Sequence, residues 1–162
     1  MFEQLLDDYF NTFYREHPAD ATHVGLSTGE GRLNPATLTA LRKQQTRRRT
    51  ALVKLDSIPP SALSNEQNLD RLAFRARLLR ECEEFDRGRH ELDPTGIDEV
   101  LGFLLKELQR GEDKPKRAAR NIRGLLRGTP RYLGQAARIV TRPERVWRGI
   151  MTDSFKASGV FF

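Results

Sequence analysis

Sulfur, histidine and long apolar runs are what this sequence has least of. A single cysteine, Cys82, excludes an intramolecular disulfide, so packing alone must hold the fold. No stretch reaches the ~18 consecutive apolar residues that a membrane-spanning helix needs. Only three histidines are present, His17, His23 and His90, and no two of them sit four apart within one helix. Zinc chemistry of the H-E-x-x-H kind needs two such imidazoles on one helix face, with a glutamate beside the first. His90-Glu91 begins that pattern, but the fourth residue on is Pro94, which has no ligand atom. The expectation is no metal ligand, no cofactor and no catalysis by this chain, with all three histidines at the surface or at helix ends.

Other catalytic arrangements are missing too. Cys82 falls on an apolar helix face beside Phe85, where a thiol is inert. No G-x-S-x-G elbow is present. The carboxylates Glu81, Glu83, Glu84 and Asp86 have Arg77, Arg80 and Arg87 as helical neighbours, and surface ion pairs account for them. The glycines at 25, 29 and 31 form neither phosphate-binding string. They read as a flexible connection that would order over a cleft in a longer protein.

Charge of one sign is missing locally. Residues 1–30 carry six acids and one base, whereas residues 110–148 carry twelve bases and three acids. The opening segment is acidic where a secretory leader is basic, and no apolar run follows it, so a cytoplasmic chain is expected.

What is present is helical periodicity almost throughout. Phe2, Leu5, Leu6, Tyr9, Phe10 and Phe13 line one face of a first helix that Pro18 ends. A short helical turn follows, with Gly25 as a left-handed cap. Asn34-Pro35 reads as the start of a helix reaching about Ile58, with a solvated polar middle from Lys43 to Thr50. Ser64 and Gln67 fit a capping box. The helix beyond them carries one stripe of Leu69, Leu72, Ala76 and Leu79, continued by Leu78, Cys82 and Phe85. Ile97, Leu101, Leu104, Leu105 and Leu108 mark another helix. Pro115 opens the next, with Ala119, Ile122, Leu125 and Leu126 inward, and Gly128-Thr129-Pro130 separates it from Tyr132–Val140. Pro143 opens the last, through Val146, Trp147, Ile150 and Met151. No strand-period segment competes. The expected fold is all-α, an antiparallel bundle of about six to eight helices, in a single helical region spanning residues 1–162. Phe155, Val160, Phe161 and Phe162 place apolar mass at the chain end, which reads as a cut inside a structured region, and hence as an incomplete lobe of a larger fold.

Lys116, Arg120, Arg123 and Arg127 fall on one helix face and are the candidate contact for an anion or partner. Aromatic interleaving is thin, only Tyr132 and Trp147, and no named nucleic-acid module is present. A solvated face, or a seam with acidic residues, is the favoured reading of this stripe, and nucleic acid is not the expected partner. A small basic protein binding nucleic acid or an acidic partner is the alternative.

The order of signals resembles a bacterial family known as domain of unknown function 885. The stretches that carry the resemblance are FEQLLDDYFNTFYREHPADATHVGL (2–26), LNPATLTALR (33–42), LVKLDSIPPSALSNEQNLDRLAF (52–74), IRGLLRGTPRYLGQAARIVTRPERVW (122–147) and the closing ASGVFF. The resemblance implies a mostly helical protein, much longer than this chain, that looks like a zincin metallopeptidase. Its H-E-x-x-H motif lies far downstream of the matched region. The chain thus resembles the family's N-terminal portion, and no catalytic residue of the family carries over. A separate catalytic portion is the partner this implies, with zinc only in the full-length architecture.

Overall fold

The computed structural model describes residues 1–93, 96–111 and 113–158. Among them the chain is all-α, with no strand and with eight α-helices: α1 (Phe2–Glu16), α2 (Pro18–His23), α3 (Leu38–Asp56), α4 (Asn65–Asp86), α5 (Arg89–Leu92), α6 (Gly96–Arg110), α7 (Pro115–Ile139) and α8 (Arg145–Ser158). None of the described helices is long and apolar enough to cross a membrane. The apolar chain end at Val160, Phe161 and Phe162, and the Phe155 side chain, lie outside the described residues. Contacts cluster into two compact units: Met1–Phe13 with Leu38–Arg89, and Tyr14–Thr37 with His90–Phe162.

The first unit packs the start of α1 against α3 and α4. Phe2, Tyr9, Ala51, Leu55, Ile58, Phe74 and Leu78 are its buried core, with Phe10 and Phe13 packed against them. Tyr9 meets Phe74 edge-on at 5.0 Å between ring centroids, a geometry favoured by the ring quadrupoles. The capping box forms as read: Gln67 N donates to Ser64 Oγ, and Ser64 N donates to Gln67 Oε1.

Two expectations fail in this unit. The middle of α3 is not a solvated segment, because Gln44 and Gln45 are buried. Gln45 Nε2 donates to the Cys82 carbonyl and to Asp86 Oδ1, so the amide nitrogen has its partners on α4, while among the described residues its Oε1 meets no donor. Nor is the stripe Leu69, Leu72, Ala76, Leu79 the core face of α4. Its continuation through Leu78 and Cys82 is buried as read, with Phe74 one turn before them, while Leu69 is 68% and Leu72 53% exposed. Leucines occupy both faces of α4, so periodicity alone does not choose between them. The polar seam with α3 does. Arg48 reaches Glu81 at 2.8 Å, both nearly buried, and Arg49 reaches Asp86. The remaining α4 charges pair one turn apart, Arg77 with Glu81, Arg80 with Glu84 and Arg87 with Glu83, as the spacing requires.

The second unit packs α6 against α7, with α2 and α8 also on α6. Its core holds Val100, Leu104, Leu125 and Tyr132, with Leu33 and Ala36 packed against them. Those last two tie down the segment before α3, and α3 begins at Leu38 and not at Pro35. Asn34 does cap a helix, but it is α2: its Oδ1 accepts from Ala19 N at 3.0 Å and its Nδ2 donates to Asp20. At the other end of α2, Gly25 takes φ +96°, Gly25 N donates to Thr22 O and Leu26 N to Ala21 O. That pair of bonds is a Schellman closure and needs the left-handed residue that glycine supplies.

The break expected at Gly128-Thr129-Pro130 is absent, and α7 runs unbroken through Pro130. Leu125 and Tyr132 lie two turns apart on the same buried face and hold both halves to one axis. Thr129 Oγ1 donates to the Leu125 carbonyl in the turn where proline brings no N–H. Beyond α7, Arg142 N and Glu144 N donate to the carbonyls of Glu91 and Leu92, and the Arg142 guanidinium grips Glu91 at 2.7 Å. These bonds fix the start of α8. On it Met151 is buried, Trp147 half-buried, and Val146 and Ile150 exposed.

The face assignment of α4 yields a direct contrast between neighbours. Leu78→Ala is expected to lose about 2–5 kcal/mol, the range for a fully enclosed leucine. Leu79→Ala is expected to change stability by less than about 0.5 kcal/mol. Urea midpoints of the two variants check this, and equal losses would contradict the assignment.

Candidate functional site

The second unit places five polar side chains from three elements around the start of α7. Glu107 on α6 and Asn121 on α7 are each only 5% exposed. Asn121 Nδ2 donates to Glu107 Oε2 at 3.0 Å and reaches Glu30 Oε2 at 3.3 Å. Glu30 receives both guanidinium arms of Arg117, one through Nε at 2.9 Å and one through Nη2. Arg110 donates to the Thr22 carbonyl at the end of α2. Beside these groups lies a polar cleft of about 240 Å³, in which Glu30, Glu107 and Asp113 face Arg110, Lys114 and Arg117.

The cluster corrects two readings. The inward face of α7 is Ala118, Asn121, Leu125 and Tyr132, not the set that includes Ala119 and Leu126. Ala119 is exposed and Leu126 45% exposed. The Gly25–Gly31 loop is not a loose connection either. A 3-10 turn at Ser27–Gly29 buries Gly29, and the Gly31 carbonyl passes so near Gly124 that a β-carbon there would lie 2.5 Å from it. Glu30 then ties the loop to α7 through Arg117. Glu30 pairs with Arg117, and Asn121 bridges Glu30 to Glu107, which makes the cluster a clamp.

Electrostatics fit that role. Arg117 holds the Glu30 carboxyl below its usual value, outweighing the effect of burial. A second polar pair lies on the α6–α7 seam, where the buried Tyr132 donates to Glu99 at 2.5 Å. Burial raises the Glu99 carboxyl and, with the charge of Glu99 beside it, raises the Tyr132 hydroxyl as well. Cys82 is buried on α4 and burial pushes its thiol up, which suits a packing role rather than a nucleophilic one.

The histidines are scattered. His17 stands between α1 and α2, a helix end as read, and is buried there at 6% exposure in the N-cap position of α2. His23 is exposed at the end of α2, with Lys106 Nζ beside its Nε2. His90 is half-buried on α5. Among the described residues no three histidine, cysteine or carboxylate groups gather closely enough to hold a metal ion.

The sequence-derived stripe is brought together as read. Lys116, Arg120, Arg123 and Arg127 are all exposed on α7, on the side opposite Ala118, Asn121 and Leu125. Sequence reasoning missed Glu30, Glu107, Arg117 and Asn121. Their separations, 14 residues between Glu107 and Asn121 and 87 between Glu30 and Arg117, leave no local periodic signal. No family model, curated protein or solved structure matches the chain.

The Glu30–Arg117 pair makes stability depend on acid. The folded value of Glu30 is depressed below its ordinary 4.5. Its contribution is therefore present above that value and lost as pH falls through the folded one. Glu30→Gln is expected to lower the urea midpoint at about pH 7, with the deficit shrinking as pH falls below the ordinary carboxylate range. A deficit that persists unchanged in acid would show that the pair is not its source.

Proposed function

We propose that this chain is a non-catalytic helical portion of a metallopeptidase-like protein, walling a substrate cleft whose zinc site is supplied by another stretch of polypeptide in the cytoplasm. Two things support the reading. One is the ordered resemblance of its segments to the N-terminal part of the domain of unknown function 885 family. The other, which carries it, is apolar surface left outward on regular helices. Leu69, Leu72 and Leu79 form an exposed row on α4, opposite its core face, and Leu105 and Leu108 are each 60% exposed on α6. Isolated exposed leucines need no explanation, but rows at helical spacing are what a further polypeptide layer would cover.

In such an assembly the chain's own residues do structural work. The clamp of Glu30, Arg117, Asn121 and Glu107 holds the α2–α3 connection on α7. The ion pairs of α3 and α4 fix which leucines face outward. No step of peptide hydrolysis is assigned to any residue of this chain.

The test starts from the neighbouring DNA. A reading frame carrying H-E-x-x-H is expected beside this one, and its product is expected to co-purify with the chain and gain chelator-sensitive peptidase activity. Leu69→Asp with Leu72→Asp is expected to weaken that association at least tenfold, about 1.4 kcal/mol, with helicity by circular dichroism unchanged. Stoichiometric zinc in the purified chain alone, or chelator-sensitive cleavage by it, would contradict the proposal, as would unrelated neighbouring genes.

A further inference from the structure

The two longest helices treat their surface charge in opposite ways. On α4 the arginines Arg77, Arg80 and Arg87 each have a carboxylate one turn away and bond to it. That surface neutralises itself, as solvated helices do. Helix α7 has no acid anywhere in its 25 residues. Its bases include Lys116, Arg120, Arg123, Arg127, Arg131 and Arg138, all exposed. At 100° per residue these six fall within about 80° of arc, centred opposite the buried Ala118, Asn121 and Leu125. Among the described residues none of them bonds to a carboxylate. Only Arg117, on the flank, is neutralised, by Glu30.

The ridge runs about 33 Å, taking 1.5 Å per residue from Lys116 to Arg138. Cations one turn apart repel, so the row from Lys116 to Arg131 carries a running electrostatic cost within the helix. The two bases of its first turn, Lys116 and Arg117, also sit at the positive end of the helix dipole. Nothing within the helix offsets this strain, whereas a polyanion laid along the ridge would.

The chemistry of the face selects among polyanions. A protein partner draws its affinity from an apolar interface centre, and this face is cationic along its length. A phosphodiester backbone instead gains affinity from counterion release, which needs cations alone. Single strands are held by rings on which bases stack. The one ring of α7, Tyr132, is turned inward, 7% exposed and bonded to Glu99. We propose that the outer face of α7 is a sequence-independent binding surface for the phosphate backbone of duplex nucleic acid.

The test uses the full chain and a mixed-sequence duplex of about 25 base pairs, followed by fluorescence anisotropy across salt. With about five phosphates contacted, affinity is expected to fall about 500-fold between 50 and 200 mM salt. Arg120→Gln with Arg123→Gln and Arg127→Gln is expected to flatten the log–log salt slope by about three and to weaken binding at 50 mM salt at least thirtyfold. The matched control is Arg42→Gln with Lys54→Gln and Arg145→Gln, three exposed bases off α7, expected to change binding less than threefold. Circular dichroism checks that both triples stay helical, and single Arg123→Gln serves if the triple does not. The proposal is overturned by equal losses in the two triples, which would mean net charge alone. It is equally overturned by tighter binding of a single strand or of poly-glutamate than of duplex, or by no binding at 50 mM salt.

Discussion

The hydrogen bond from Asn121 Nδ2 to Glu107 Oε2, 3.0 Å long, joins two side chains that have almost no access to water. Burying a carboxylate or an amide costs free energy that a hydrogen-bond partner offsets. Each therefore fixes the other. Because α7 has 3.6 residues per turn, turning Asn121 inward also turns Leu125 and Tyr132 inward. It sends Lys116, Arg120, Arg123 and Arg127 to the far side. Glu30 joins the same amide and brings the loop after α2 with it. Helix rotation, loop position and the direction of the basic ridge in this unit thus follow from one polar contact between α6 and α7.

The other unit uses the same device on its own helices. Gln45 and Arg48 reach from α3 to the Cys82 carbonyl, Asp86 and Glu81 on α4. Those bonds bring Phe74, Leu78 and Cys82 under cover and leave Leu69, Leu72 and Leu79 outside. In both units buried polar groups decide which of two available faces goes inward, and the apolar side chains fill the space so defined. What each helix offers outward is the consequence: a leucine row on α4, a cation row on α7.

That division explains what could be read from the chain. Helix existence was legible, because caps and breakers act locally: Ser64 with Gln67, Gly25, Pro18 and Pro115 all act within a turn of themselves. The i, i+4 ion pairs of α4 and the shared face of Lys116, Arg120, Arg123 and Arg127 were legible for the same reason. The inward face of α1 was legible as well, from Phe2 and Tyr9 with Phe10 and Phe13, but those of α4, α6 and α7 were legible only in part. Leucines lie on both sides of α4 and α6, and the choice between them is made by Gln45, Glu107 and Asn121, residues that look solvated in sequence. Asn34 was read as the cap of the helix after it and instead bonds to α2, because its partner precedes it by 15 residues. The continuity of α7 through Pro130 was hidden for a related reason: the burial of Tyr132 outweighs one missing backbone bond.

A double-mutant cycle on Glu107 and Asn121 reaches the centre of this account. Asn121→Leu alone strands a buried carboxylate and is expected to cost about 2–4 kcal/mol in urea unfolding, while adding Glu107→Met is expected to return at least half of that. A coupling energy of about 1.5 kcal/mol or more is the predicted result. Additive losses, with coupling below about 0.3 kcal/mol, would mean that this pair does not set the rotation of α7.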